Sequence, residues 1–168
     1  LVATSAQRNL KPAGDLSTIN ELLADHQPIA VRALAAEAVG VWKIPSHEAT
    51  LTTLAKTATT PLPLRTAAIG GLANLGNADA TRLLTELVSA ESEAYEVREA
   101  AVLGVAARNQ AAGAKLAIDL LTSSRGSNPT RLIQTLVQHK QGPGALTAAL
   151  KNRTLPADAA KLAVRAID

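Results

Sequence analysis

Apolar residues recur along this chain at helical spacing. Leu16, Ile19, Leu22 and Leu23 follow one another at i, i+3, i+6 and i+7, which gathers them on one face of a helix opened by Asp15 as N-cap. Pro28 stands where a missing N–H costs nothing, and a second helix over about 29–42 turns Val31, Leu34, Ala35, Ala38 and Val39 inward. Pro45 and Ser46 close that pair. A second pair reads the same way: Leu51 and Leu54 on its first helix, Thr60-Pro61 as a start signal, a helix over 64–75 and Gly76 as a left-handed stop. In the third, Asn77 caps a helix with Leu83, Leu84, Leu87 and Val88 inward, and 95–108 forms its partner. The fourth runs over 113–121, a loop over 122–127 and, after Asn128-Pro129, a helix over about 131–139. The break at Gln141-Gly142-Pro143-Gly144 introduces a fifth pair over about 145–152 and 156–168, whereas 1–14, with Pro12 and Gly14, reads as a tail or the end of a preceding element.

These pairs share a period. Arg32, Arg65, Arg98 and Arg131 are spaced by 33 residues, and Lys161 takes the same place 30 residues after Arg131. Leu54, Leu87, Leu120 and Leu150 form a second column, each 11 residues before its basic residue. Two columns with one period are the mark of a helical-hairpin solenoid. The expectation is an all-α fold, a right-handed α-α superhelix of about five antiparallel helix pairs, with 15–168 as the repeat domain.

Composition changes the picture of the interior. Alanine occupies 35 positions, aromatic residues are 1%, and Phe, Met and Cys are absent, so small side chains must let helix axes approach closely. Without cysteine these residues hold no disulfide, thiolate metal site or covalently attached haem. A net charge of +3 permits nucleic acid without indicating it. The longest uncharged apolar run, over 100–107, is far short of the roughly 20 residues that span a bilayer. The chain starts without methionine and stops inside a helical pattern that has no cap. The expectation is therefore a fragment of a longer chain that continues past Asp168.

Arg32, Arg65, Arg98, Arg131 and Lys161 are the candidate binding residues. As a row on the concave face they would receive an acidic peptide or a phosphate backbone, partly neutralised by Glu37, Glu96 and Glu99; as structural groups they would tie the second helices of neighbouring pairs through carbonyls or carboxylates. His26, His47 and His139 lack the i, i+4 spacing of a helical metal site and read as surface residues. The loop serines Ser46, Ser123, Ser124 and Ser127 lack a nucleophile elbow, so no catalytic residue and no metal ligand is assigned. Gly70, Gly71 and Gly104 fall inside helices, where they let neighbours touch, and Trp42 reads as a core plug at a helix end.

A Pro or cap followed by Val/Leu-Arg, Ala-Ala and further small residues resembles the short HEAT-like repeat of the kind named after phycobilisome lyases, over about 15–168. The ending over 155–165 also resembles the HEAT-like segment of large bacterial proteins that join a sugar-dehydrogenase propeller to a c-type cytochrome domain. This resemblance implies a noncatalytic scaffold or interaction module with no cofactor in this segment. Its partner would be a neighbouring domain of the same chain or another protein, and its compartment periplasmic or exported if the cytochrome resemblance holds. The alternative it leaves is a HEAT-like solenoid that grips nucleic acid with the cationic row.

Overall fold

A computed structural model describes residues 11–13, 15–123, 127–151 and 153–167; the N-terminal tail at 1–10, Gly14, the loop residues 124–126, Asn152 and Asp168 lie outside the described residues. Among the described residues ten α-helices follow in order: α1 (Ile19–Leu23), α2 (Ile29–Val41), α3 (Glu48–Lys56), α4 (Leu62–Leu75), α5 (Ala78–Ser89), α6 (Tyr95–Arg108), α7 (Gln110–Ser123), α8 (Thr130–Gln138), α9 (Gly142–Leu150) and α10 (Ala157–Ile167). No strand occurs among the described residues. The chain divides into two compact units, Leu1–Leu83 and Leu84–Asp168, with the division inside α5.

In the first unit α1 packs on α2 and α3 on α4, and the two longer helices α2 and α4 pack on each other. The α2–α4 contact is made of small residues. Ala35, Ala36, Ala38, Val39 and Gly40 are buried on α2, and Ala67, Ala68, Ile69, Gly71 and Leu72 on α4. A methyl group built on Gly40 would sit 2.5 Å from the Gly71 carbonyl oxygen, and one built on Gly71 2.5 Å from that of Ala36. The backbones therefore meet where only glycine fits, as the sequence suggested for Gly71. Gly70 faces open space instead. Leu34, expected inward, is 55% exposed, because the contact face is the alanine-glycine face and leaves no room for a leucine.

Helix ends follow local chemistry. The α2 terminus closes as a Schellman motif: the Ile44 N–H donates to Val39 O at 3.0 Å and the Lys43 N–H to Gly40 O at 3.2 Å, with Lys43 itself at φ 52°. The Lys43 ammonium donates to the Asn74 carbonyl near the end of α4, which ties the two helices there. Gly76 stops α4 at φ 71°, as read from the sequence. The Asn77 side chain accepts the Ala80 N–H at 2.8 Å and caps α5. Asp15 departs from expectation: its carboxylate accepts from the Ser17 N–H and hydroxyl, forming a local turn, so α1 starts only at Ile19 and Leu22 is left exposed. Trp42 ends α2 half-buried, its Nε1 buried without an acceptor.

In the second unit α6 packs on α7, α7 on α9, and α8 on α6, α9 and α10. Within this unit α7 and α9 stack as first helix on first, and α6, α8 and α10 as second on second, the pattern of a repeat array. The expected break at 141–144 is instead the first turn of α9, with Pro143 where its missing N–H is harmless.

Candidate functional site

The basic column is best understood from what precedes it. Each first helix leaves carbonyls without intrahelical partners at its C-terminus, where the helix dipole is negative. Arg32 Nε donates to the carbonyl of Leu23, the last residue of α1, at 3.1 Å. Arg65 Nε donates to Ala55 O at 2.7 Å and Arg98 Nε to Val88 O at 2.8 Å, the penultimate residues of α3 and α5. Three successive repeats therefore use the arginine of the second helix to cap the first. Arg65 is 4% and Arg98 8% exposed. Arg32 adds an ion pair with Asp25 at 2.5 Å, and Arg98 reaches on through Nη2 to the Ser123 hydroxyl at the end of α7.

This corrects the solvent-facing row at its first three positions. A guanidinium buried against a carbonyl is not placed to meet a phosphate or an acidic peptide. It also corrects the structural alternative, since the Nε bonds tie the two helices of one repeat rather than neighbouring second helices. Arg131 and Lys161 differ: both are exposed, on the mutually packed helices α8 and α10. In the fourth repeat α7 runs to Ser123, so its end lies one residue nearer its arginine than in the three before, and the capping geometry is lost.

Arg131 turns instead toward Glu99, Nη1 to Oε2 at 3.7 Å. Glu99 belongs to α6, and its side chain is only 5% exposed. The other carboxylate oxygen, Oε1, is buried without a hydrogen-bond partner, as is the hydroxyl of Tyr95 one helical turn earlier. Burial pushes the Glu99 carboxyl above its ordinary pKa; the Arg131 charge and the Leu132 backbone N–H draw it back, and Glu96 adds to the rise. Burial likewise raises the Tyr95 phenol, with Glu99 and Glu96 contributing. These groups line a cleft of about 570 Å³ walled by Tyr95, Glu96 and Glu99 of α6 and Thr130, Arg131 and Gln134 of α8.

This cleft is invisible to the 33-residue spacing that marks the arginines, because its residues depart from the repeat. At the Glu99 position the other repeats read Ala33, Thr66 and Leu132, and at the Tyr95 position Ile29, Leu62 and Asn128. A carboxylate where a period demands an apolar or small residue was the available signal. Among the histidines, His47 is a correction: it is buried and joins Asn20 Oδ1 at 2.7 Å, linking the turn before α3 to α1. His26 pairs at the surface with Glu21, and His139 is exposed. No group of three potential metal-binding His, Cys, Asp or Glu residues occurs among the described residues.

The repeated hairpins and their shared arginine cap agree with the comparison to known families. The family described as HEAT repeats matches residues 16–106, more than half of the chain. The chain belongs to the HEAT repeat family. No curated protein and no solved structure matches it at a significant level. The matched HEAT segment covers the three repeats in which the arginine cap is intact, and α8, where the cap is lost, lies beyond it. No described helix is long and apolar enough to cross a membrane.

Proposed function

We propose that this HEAT-repeat chain is a noncatalytic scaffold and interaction module that presents its helix faces to a protein partner or to a neighbouring domain of the same polypeptide. The observation that supports this most is the assignment of residues 16–106 to HEAT repeats, a family built to present stacked helical surfaces. The internal use of Arg32, Arg65 and Arg98 agrees with it, since the basic residues shared by those repeats each hold one hairpin together. The resemblance of 155–165 to the HEAT-like segment of bacterial dehydrogenase-cytochrome proteins extends the reading to a docking or spacer segment in a multidomain redox protein.

Crosslinking in the native host, followed by mass spectrometry, tests the interaction reading. Recurrent links from lysines such as Lys43, Lys115 and Lys151 to one protein or one further domain are expected. Absence of any recurrent link, together with substrate turnover by the purified chain, would overturn it. An absorption spectrum of the intact protein, reduced against oxidised, tests the redox context: haem bands support it and their absence removes it.

A further inference from the structure

The cleft between α6 and α8 holds a buried acceptor that the fold itself leaves unfilled. Glu99 Oε1 has no hydrogen-bond partner although the residue is 4% exposed, and a buried polar group left unsatisfied keeps its full desolvation cost, which is larger when it is charged. Arg131 does not remove that cost. Its nearest nitrogen lies 3.7 Å from the other oxygen, beyond hydrogen-bond reach, and its side chain is 66% exposed. Tyr95, on the same face of α6, adds a second buried and unpartnered group, its hydroxyl.

The charge balance selects the ligand. Glu96 and Glu99 against Arg131 leave the cleft acidic, and Glu96, in the first turn of α6, offsets the positive end of that helix's dipole. An anion would face two carboxylates. A neutral apolar group would leave Oε1 as it is. A cation carrying N–H donors fills the vacant acceptor and pairs with the buried charge, and charge-assisted bonds of this kind are about twice as strong as neutral ones.

We propose that the cleft walled by Tyr95, Glu96 and Glu99 on one side and Thr130 and Gln134 on the other is a docking pocket for a basic side chain, a lysine ammonium or an arginine guanidinium, projecting from a protein partner. The proposal deepens the interaction reading and rests on it for the source of that side chain. It also accounts for where the repeat is broken. The carboxylate and the phenol stand on α6, in the last repeat with an intact arginine cap, and face the first repeat without one; Arg131, released from capping, stands at the rim where an incoming cation displaces it toward solvent.

The test is an NMR titration of the full chain, uniformly labelled with nitrogen-15, with N-acetyl-lysine N-methylamide and N-acetyl-arginine N-methylamide. N-acetyl-norleucine N-methylamide serves as the uncharged counterpart. Saturable shifts are expected at the amides of 95–100 and 130–134, with at least tenfold tighter binding of a cationic probe than of the norleucine probe. Glu99→Gln is expected to weaken the cationic probes about tenfold and Tyr95→Phe a few-fold, with both spectra retaining the dispersion of the folded protein. Equal shifts with the norleucine probe, no saturable shift with either cation, or unchanged affinity in Glu99→Gln would overturn the assignment. A partner crosslinked equally by the original chain and by Glu99→Gln overturns the pocket alone and leaves the interaction reading standing. Glu99-dependent probe binding without any crosslinked partner supports the pocket and counts against that reading.

Discussion

At the scale of single residues, one column holds two kinds of arginine. Arg65 is buried and donates to a helix-terminal carbonyl, so removing it loses a charge-assisted bond and leaves Ala55 O buried without that donor. Arg65→Ala is expected to lower the unfolding free energy by about 2–3 kcal/mol in urea denaturation, and Arg131→Ala, at an exposed position, to change it by less than about 0.5 kcal/mol. Equal effects would show that the column has one role throughout. Glu99 carries a pH dependence of definite sign. Because burial makes the folded carboxyl a weaker acid than in the unfolded chain, the native state binds more protons between the two pKa values. Stability therefore falls as pH rises through the window that begins near the ordinary value of 4.5 and ends at the raised native value. Thermal melts across that window are expected to show a flatter profile for Glu99→Gln than for the original chain, and above it the variant should be no less stable.

At the scale of helices, packing rather than propensity decides which glycines are needed. Gly70 and Gly71 are adjacent, and both lie inside α4, where glycine costs about 0.5–1 kcal/mol relative to alanine. A methyl on Gly70 meets nothing within 4 Å, so Gly70→Ala is expected to stabilise by about that amount. On Gly71 a methyl meets the Ala36 carbonyl oxygen at 2.5 Å and Leu51 Cδ1 at 2.8 Å, so Gly71→Ala forces α2 and α4 apart and is expected to cost about 1–3 kcal/mol. Opposite shifts in melting temperature for these neighbours would check both. The helical period placed them in one helix, but only the position of α2 tells them apart.

At the scale of the molecule, stacked hairpins draw most of their stability from their own contacts and their nearest neighbours. A defect at one arginine cap should therefore stay local. Hydrogen exchange of Arg65→Ala is expected to quicken most in α3 and α4, the helices that Arg65 joins, and least in α7 and α9. Uniform acceleration along the chain would show that it unfolds as one cooperative block.

The helical class, the five hairpins and the arginine column follow from sequence alone, because apolar spacing, Pro and Gly punctuation and a 33-residue period are local and repeated. The helix over 95–108 has the bounds that its sequence predicts. What the guanidiniums do was not legible, since a spacing says that residues share a position and not whether that position faces solvent or a neighbouring helix end. The burial of His47, the exposure of Leu34 and the difference between Gly70 and Gly71 were hidden for the same reason. The Tyr95–Glu99 cleft came only from tertiary structure: a periodic reading looks for what recurs, whereas the unfilled carboxylate oxygen exists because α8 closes over one turn of α6 where the repeat departs from its pattern.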